Sequence, residues 1–85
     1  MSMNNESEVL LELRRHVAML LERNVEQIGA EQPLHELGLD SMGFVDLLVF
    51  IEKRFRLPLM TSRLAQEDFA TLSRLTRRIV QAAPE

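Results

Sequence analysis

The chain has 85 residues, of which 46% are hydrophobic, a formal net charge of −3 and no cysteine. This length suits one small domain, and the absence of cysteine excludes a disulfide framework and a cysteine-based metal site. The mildly acidic charge argues against a nucleic-acid partner, no apolar run is long enough to span a membrane, and the polar start is unlike a secretory signal. We therefore expect a soluble, cytoplasmic monomer with one domain over residues 1–85, in which residues 1–6 are flexible and residues 83–85 form a tail.

The first helix is predicted from about Ser7 to Arg23, because its apolar residues recur at intervals of three and four. These residues are Val9, Leu10, Leu13, Val17, Leu20 and Leu21. Ser7 is a candidate N-cap for this helix. His16, within the helix, and His35, further along the chain, are both expected on the surface and do not form a metal cluster.

A long connection is predicted between about Asn24 and Asp40. The residues that interrupt helical periodicity there are Gly29, Pro33 and Gly38. Loops of this length are uncommon in small domains unless they pack against the core or carry function. Ile28 and Leu34 are therefore expected to anchor the connection in the core.

The second helix is predicted from Ser41 to Phe55 and has two apolar faces. The face assigned to the core contains Phe44, Leu47, Leu48, Ile51 and Phe55. The other face contains Met42, Val45 and Val49, together with the charged Asp46. Because the first face already supplies a complete core stripe, the second is expected to be a surface stripe reserved for a partner.

The remainder of the chain predicts one short helix and one longer helix. Pro58 ends the second helix region, and a short helix is plausible near Leu64 to Phe69. Thr71 is a candidate cap for a last helix over about Leu72 to Ala82. Its inward residues are predicted to be Leu75, Ile79 and Val80, and its solvated face to contain Arg74, Arg77 and Arg78. Strand signals are weak, so the predicted architecture is an all-α bundle.

The most informative stretch is Gly38-Leu39-Asp40-Ser41-Met42, which places a serine at the start of the second helix. Free backbone N–H groups and the helix dipole favour a negative group there, so a phosphate ester on the Ser41 hydroxyl would be well placed. A phosphorylated or phosphopantetheinylated serine is thus a sharper hypothesis than a catalytic one. The plainer alternative is that Ser41 is an ordinary N-cap.

A longer pattern carries a family resemblance. It consists of Leu34-x-x-Leu37-Gly38-Leu39-Asp40-Ser41-Met42 followed by Val45-Asp46-Leu47, and it closely resembles the phosphopantetheine attachment motif of acyl and peptidyl carrier proteins. The later segments that resemble the same family are Ile51–Phe55 with Leu57-Pro58, and Glu67–Leu72. The resemblance therefore covers nearly the whole chain.

The resemblance implies a four-helix carrier-protein bundle that is not an enzyme. It implies a 4′-phosphopantetheine group on Ser41, transferred from coenzyme A by a Mg²⁺-dependent phosphopantetheinyl transferase, whose terminal thiol carries an acyl or aminoacyl group as a thioester. The residues implied at the prosthetic group are Gly38, Leu39, Asp40, Ser41 and Met42, and those implied to meet partner enzymes are Met42, Gly43, Val45, Asp46 and Val49. Asp40 is expected to cap the second helix or to help the transferase bind metal.

The second helix departs from the strongly acidic helix of carriers in dissociated fatty acid synthesis. Asp46 and Glu52 are accompanied by Lys53, Arg54 and Arg56, so electrostatic steering by this helix is expected to be weak. Docking through the apolar stripe is expected instead. This favours a free-standing, dedicated carrier of an amino acid or specialised acyl group, loaded by an adenylate-forming ligase and serving a downstream transferase or synthase.

Two other classes of protein remain as alternatives. One is a helical protein–protein interaction domain, such as a degenerate carrier, that never receives a prosthetic group. The other is a small helix-turn-helix DNA-binding protein, which would need a basic recognition helix; the Arg74–Arg78 cluster instead lies in a helix with inward apolar residues. Gly43 is unfavourable within a helix by about 1 kcal/mol relative to alanine, and simple tolerance is favoured over a role in making room for the arm or a partner.

Overall fold

The computed structural model describes residues 5–57 and 69–82 and confirms the all-α architecture. Within these ranges it has four α-helices: α1 (Glu6–Leu21), α2 (Leu34–Leu37), α3 (Ser41–Phe55) and α4 (Leu72–Ala82). A single 3-10 turn, Val25–Gln27, lies between α1 and α2. In place of a sheet, the described part of the chain has one isolated antiparallel bridge between Pro33 and Thr71. None of its helices is long and apolar enough to cross a membrane. Residues 1–4, Pro58, residues 64–68 of the predicted short helix, and the tail 83–85 lie outside the described residues.

The cap of α1 differs from the prediction. The side-chain oxygen Oδ1 of Asn5 accepts a hydrogen bond of 2.8 Å from the Glu8 backbone N–H, so Asn5 is the N-cap and the predicted cap at Ser7 is wrong. The helix also ends earlier than expected, at Leu21, because Glu22 takes a left-handed conformation with φ 56°. Its N–H then closes the helix by bonding to carbonyls of the last turn.

The long connection is packed down, as predicted. Ile28 and Leu34 are both buried in the core. Arg14 of α1 donates hydrogen bonds to the carbonyl oxygens of Ile28, at 2.8 Å, and Val25, at 3.0 Å. Arg23 donates to the Leu37 carbonyl at 3.3 Å. These side-chain donors bond to carbonyls of the irregular connection, although the Val25 carbonyl also accepts a hydrogen bond of 3.0 Å from the Ile28 N–H. The arginine side chains thereby help to fix the path of the connection.

Part of this connection is helical rather than a simple loop. Pro33 precedes a single turn, α2, that buries Leu34 and Leu37 and ends at Gly38. Proline suits the start of a helix because its missing N–H would have no partner there. One turn is too short to show periodicity, which explains why the sequence pattern did not predict it.

The start of α4 is tied to the same connection. The Leu34 N–H donates to the Ala70 carbonyl and the Ser73 N–H donates to the Ala30 carbonyl, both at 2.9 Å. Thr71 is the predicted cap, since its hydroxyl oxygen accepts a hydrogen bond of 3.1 Å from the Arg74 N–H. These bonds bring the beginning of α4 beside the segment that leads into α3.

The core lies mainly between α1 and α4, with α3 packed against them. Its buried members are Val9, Leu13, Val17, Ala18, Ile28, Leu34, Leu37, Leu47, Ile51, Phe55, Leu57, Leu72, Leu75 and Ile79. Of the five residues of α3 predicted to be core, Phe44 and Leu48 are only half-buried. They lie at the edge of the inward stripe, so the burial predicted from their helical spacing was too high. Val80 of α4 is likewise partly buried against the core.

Candidate functional site

Ser41 is the first residue of α3 and is exposed to solvent. The chain reaches it through Gly38, whose φ of 101° lies in the left-handed region that favours glycine, and then through the extended Asp40. The Asp40 oxygen Oδ1 accepts a hydrogen bond of 2.7 Å from the Gly43 backbone N–H. Asp40 is therefore the N-cap of α3, and the Ser41 hydroxyl is not needed for capping.

The start of α3 also favours a negative group on Ser41. The N–H of Gly43 is used by Asp40, and the first backbone hydrogen bond of the helix is donated by Phe44 to the Asp40 carbonyl at 2.9 Å. The N–H groups of Ser41 and Met42 precede that bond and point toward the open end of the helix. A phosphate attached to the Ser41 hydroxyl would therefore lie at the positive end of the helix dipole.

A cavity of about 560 Å³ lies beside Ser41, and we call it the Ser41 groove. It is lined by Leu34, His35, Leu39, Asp40, Ser41, Phe44, Val45, Phe69 and Ala70. The rings of Phe44 and Phe69 meet edge to face there, with centroids 5.4 Å apart. An extended arm attached to Ser41 has room along this wall, so the residues present fit the prosthetic group that the resemblance implies.

The predicted partner stripe is exposed on the outer side of α3, and we call it the docking face. Its apolar members are Met42, Val45 and Val49, whose exposed fractions are 77%, 52% and 43%. Asp46 lies on the same side and is also exposed. Unpartnered apolar side chains of this size, grouped on one helix next to a candidate modification site, are typical of a protein-interaction surface.

Gly43 has a more specific reason than simple tolerance. A β-carbon at this position would lie 3.0 Å from Cδ2 of Leu39 and 3.3 Å from Oδ1 of Asp40. Both distances are shorter than an ordinary van der Waals contact between such atoms. The glycine therefore leaves space in the first turn of α3 for the side chains of Asp40 and Leu39.

His16 lies in a different environment from the one predicted. Its side chain is only 13% exposed, and its Nε2 lies 2.8 Å from Oδ1 of Asp46. Its ring stacks on that of Phe50, with centroids 4.0 Å apart. The expectation of a surface histidine is thus wrong. The sequence does contain a signal for this burial: His16 lies three residues after Leu13, at helical spacing from the apolar face of α1.

The structure places the other sequence-predicted positions close to Ser41 along the chain. His35 is exposed, with 82% of its side chain accessible, and lies in the wall of the Ser41 groove. Gly38 and Leu39 lead directly into Asp40 and Ser41, and Leu39 also lines the Ser41 groove. Among residues 5–57 and 69–82, no group of three or more His, Asp or Glu side chains is placed to hold a metal ion.

The family whose pattern matches the chain is described as the phosphopantetheine attachment site, and the match covers residues 12–79. The match spans most of the chain, including α3 and the exposed serine at its start. The chain therefore belongs to the phosphopantetheine-binding carrier proteins. Proteins of this class carry a 4′-phosphopantetheine prosthetic group and are not catalysts themselves.

A curated relative supports the same class. The chain is 34% identical over 62 residues to a "D-alanyl carrier protein" from Streptococcus suis (strain 98HAH33). The aligned region covers 73% of this chain and 78% of the relative. The similarity therefore extends over most of both proteins.

Proposed function

We propose that the chain carries an aminoacyl group on a 4′-phosphopantetheine arm attached to Ser41. The observation that carries this proposal is the geometry of Ser41, which is exposed at the first position of α3 while Asp40 caps the helix. A hydroxyl that is free of structural duty at a helix N-terminus is open both to an enzyme and to a phosphate. The prosthetic group would supply a terminal thiol, which holds the cargo as a thioester.

The modification would be a phosphoryl transfer from coenzyme A. The Ser41 hydroxyl oxygen forms a new bond to the phosphorus next to the pantetheine, the bond from that phosphorus to the bridging oxygen breaks, and the hydroxyl proton is lost. Adenosine bisphosphate leaves with the bridging oxygen, so the atoms balance. A Mg²⁺-dependent phosphopantetheinyl transferase would catalyse this step, with the chain as the acceptor.

An amino acid is the cargo class that the observations support best. The relative is a D-alanyl carrier protein by its printed description. The charges of α3 differ from those of a strongly acidic carrier helix. Arg54 is paired with Glu12, and on the exposed side the negative charge of Asp46 is balanced by the positive charge of Lys53. An adenylate-forming ligase would load the arm, and a downstream transferase or synthase would receive the cargo through contacts with the docking face.

The test is intact mass spectrometry after incubation with coenzyme A, Mg²⁺ and a broad-specificity phosphopantetheinyl transferase. The wild-type chain should gain one phosphopantetheine, and Ser41→Ala should gain none. Ser7→Ala is a matched control, because Ser7 is an exposed serine in α1 and its loss should leave the gain intact. A folded wild-type chain that gains nothing, beside an active control carrier, would contradict the proposal and favour an interaction domain without a prosthetic group.

The cargo is tested on the modified chain. Purified adenylate-forming ligases with amino acid or acyl specificity are incubated with it, ATP and candidate cargo, and the thioester is detected by mass and by its loss on mild hydroxylamine treatment. We expect an amino acid to be loaded in preference to a long-chain acyl group. Efficient use by fatty acid synthesis enzymes, without aminoacyl loading, would contradict the aminoacyl assignment while leaving the role of Ser41 intact.

A further inference from the structure

We propose that His16 is a positioning residue, which orients Asp46 as the polar anchor of the docking face for the enzyme that modifies Ser41. This inference rests on the proposed function. It assigns a functional role to a side chain of α1, whereas the docking face itself belongs to α3. The partner chemistry that it requires is a hydrogen-bond donor or cation, surrounded by an apolar surface.

The first observation is the way in which His16 is held. Its side chain is only 13% exposed, because its ring stacks on Phe50 at a centroid distance of 4.0 Å with an interplanar angle of 11°. In this stacked orientation the ring places Nε2 2.8 Å from Oδ1 of Asp46. A donor held by aromatic stacking gives the carboxylate a fixed partner rather than a mobile one.

The second observation is the state of Asp46 itself. Its side chain remains 52% exposed although one oxygen is bonded to His16. Met42, Val45 and Val49 are exposed and lie to one side of it on the docking face. The carboxylate is thus presented in one orientation beside an apolar patch, where a hydrogen bond from a partner is stronger than on an open polar surface.

The third observation is the position of Asp46 relative to Ser41. The two residues lie five positions apart on α3, which is about 7.5 Å along the helix axis. Asp46 also lies about 140° around the helix axis from Ser41, on the side of Met42, which directly follows Ser41 and is exposed. An enzyme that holds Ser41 and also covers Met42 and the rest of the docking face therefore reaches Asp46. A preoriented carboxylate lowers the ordering cost of that contact, so its effect should appear in the KM for the carrier more than in kcat.

A second contact between α1 and α3 makes the inference testable. Arg54 donates two hydrogen bonds to the Glu12 carboxylate, at 2.7 and 2.6 Å. This pair joins the same two helices further from Ser41 and does not involve Asp46. His16 is therefore not the sole described link between the helices, and Glu12→Gln is a matched control for general weakening of this junction.

The experiment measures kcat and KM for the carrier with a phosphopantetheinyl transferase, using wild type, His16→Phe, His16→Gln, Asp46→Ala, the His16→Phe/Asp46→Ala double variant and Glu12→Gln. His16→Phe keeps the stack on Phe50 but removes the donor, and we expect KM to rise about three- to tenfold with kcat nearly unchanged. His16→Gln keeps a donor but loses the stack on Phe50, so it should restore only part of the loss. Thermal unfolding of each variant reports whether it is folded.

The double variant distinguishes orientation from general structure. If His16 acts through Asp46, the double variant should have the KM of Asp46→Ala alone, and Glu12→Gln should have the KM of wild type. Equal KM values for wild type and His16→Phe, or additive losses in the double variant, would overturn the inference. Those results would leave the proposed function standing, because that function fails only if the wild-type chain is not modified at all.

Discussion

Two adjacent side chains at the start of α3 have separate duties. Asp40 caps the helix through a 2.7 Å hydrogen bond to the Gly43 N–H, and Ser41 presents its hydroxyl to solvent. A serine that had to cap the helix would hold its oxygen against the backbone. Because the cap lies one residue earlier, the hydroxyl can be modified without loss of the cap.

Substitutions of Asp40 should separate its capping role from its charge. Asp40→Ala removes the cap and should destabilise the chain by about 1 kcal/mol. Asp40→Asn retains a side-chain oxygen that can cap, so its cost should be much smaller, as measured by urea unfolding. If the negative charge of Asp40 assists the transferase and its metal, Asp40→Asn should also be modified more slowly than wild type. Equal modification rates would show that Asp40 contributes only the cap.

At the level of helices, α1 and α3 are joined by polar contacts above the apolar core. The carboxylate of Glu12 and the guanidinium of Arg54 form a bidentate pair, and His16 bonds to Asp46 nearer to Ser41. One pair is an ion pair and the other is a hydrogen bond to a carboxylate, and both connect the two antiparallel helices. They set how the outer face of α3 is oriented relative to α1, which apolar packing alone specifies less sharply.

The pair of Glu12 and Arg54 should make a modest contribution to stability. The two side chains are 25% and 34% exposed, so solvent screens their attraction, and a double-mutant cycle should give a coupling of about 0.5–1 kcal/mol. The cycle uses Glu12→Gln, Arg54→Gln and the double variant in urea unfolding at low and high salt. The coupling should fall as salt rises. Lys53→Gln, at an exposed neighbouring position, should show no coupling to Glu12.

For the molecule as a whole, stability and function depend on different surfaces. The buried residues of α1, α3 and α4 form one core, whereas Ser41 and the docking face lie outside it. Modification of Ser41 therefore need not disturb the packing of the helices.

Two neighbouring buried positions of α4 should change global stability in opposite directions. Leu75 is fully buried, so Leu75→Ala should destabilise the chain by about 2–5 kcal/mol through lost contacts and a cavity. Thr76 is also buried, and its hydroxyl has no hydrogen-bond partner among the described residues, so Thr76→Val should stabilise the chain by about 1 kcal/mol. Urea unfolding measures both. A loss of stability in Thr76→Val would indicate that the hydroxyl has a partner after all.

The helices that the sequence predicted best have a clear capping residue and regular apolar spacing. The bounds of α3 and α4 agree with the prediction, because each begins at a capping residue, Asp40 or Thr71, and continues with regular apolar spacing. The start of α1 was harder, since both Asn5 and Ser7 are good capping types. Which of them has an extended backbone depends on where the apolar face meets the core, and composition does not reveal that.

The candidate site was predictable to the same extent. The sequence pattern identified the positions of Ser41 and Asp40 and the exposed stripe of α3, because those residues are neighbours in one short segment. Modification of Ser41 and docking on the stripe remain predictions. Burial at the margins was less predictable. Phe44 shares the helical spacing of the core stripe, yet it lies in the wall of the Ser41 groove against Phe69. Helical spacing indicates which side of α3 a residue lies on, but it does not show how far along that side the neighbouring helices cover it.

The helical class, the placement of α3 and α4, and the family follow from local sequence patterns, because capping, periodicity and the attachment motif each depend on neighbouring residues. Only the tertiary structure decided that His16 meets Asp46, since 30 positions of chain separate them. The Ser41 groove was likewise decided by tertiary contacts that bring Phe69 beside α3. Such contacts depend on how all helices share one core, and no short stretch of sequence contains that information.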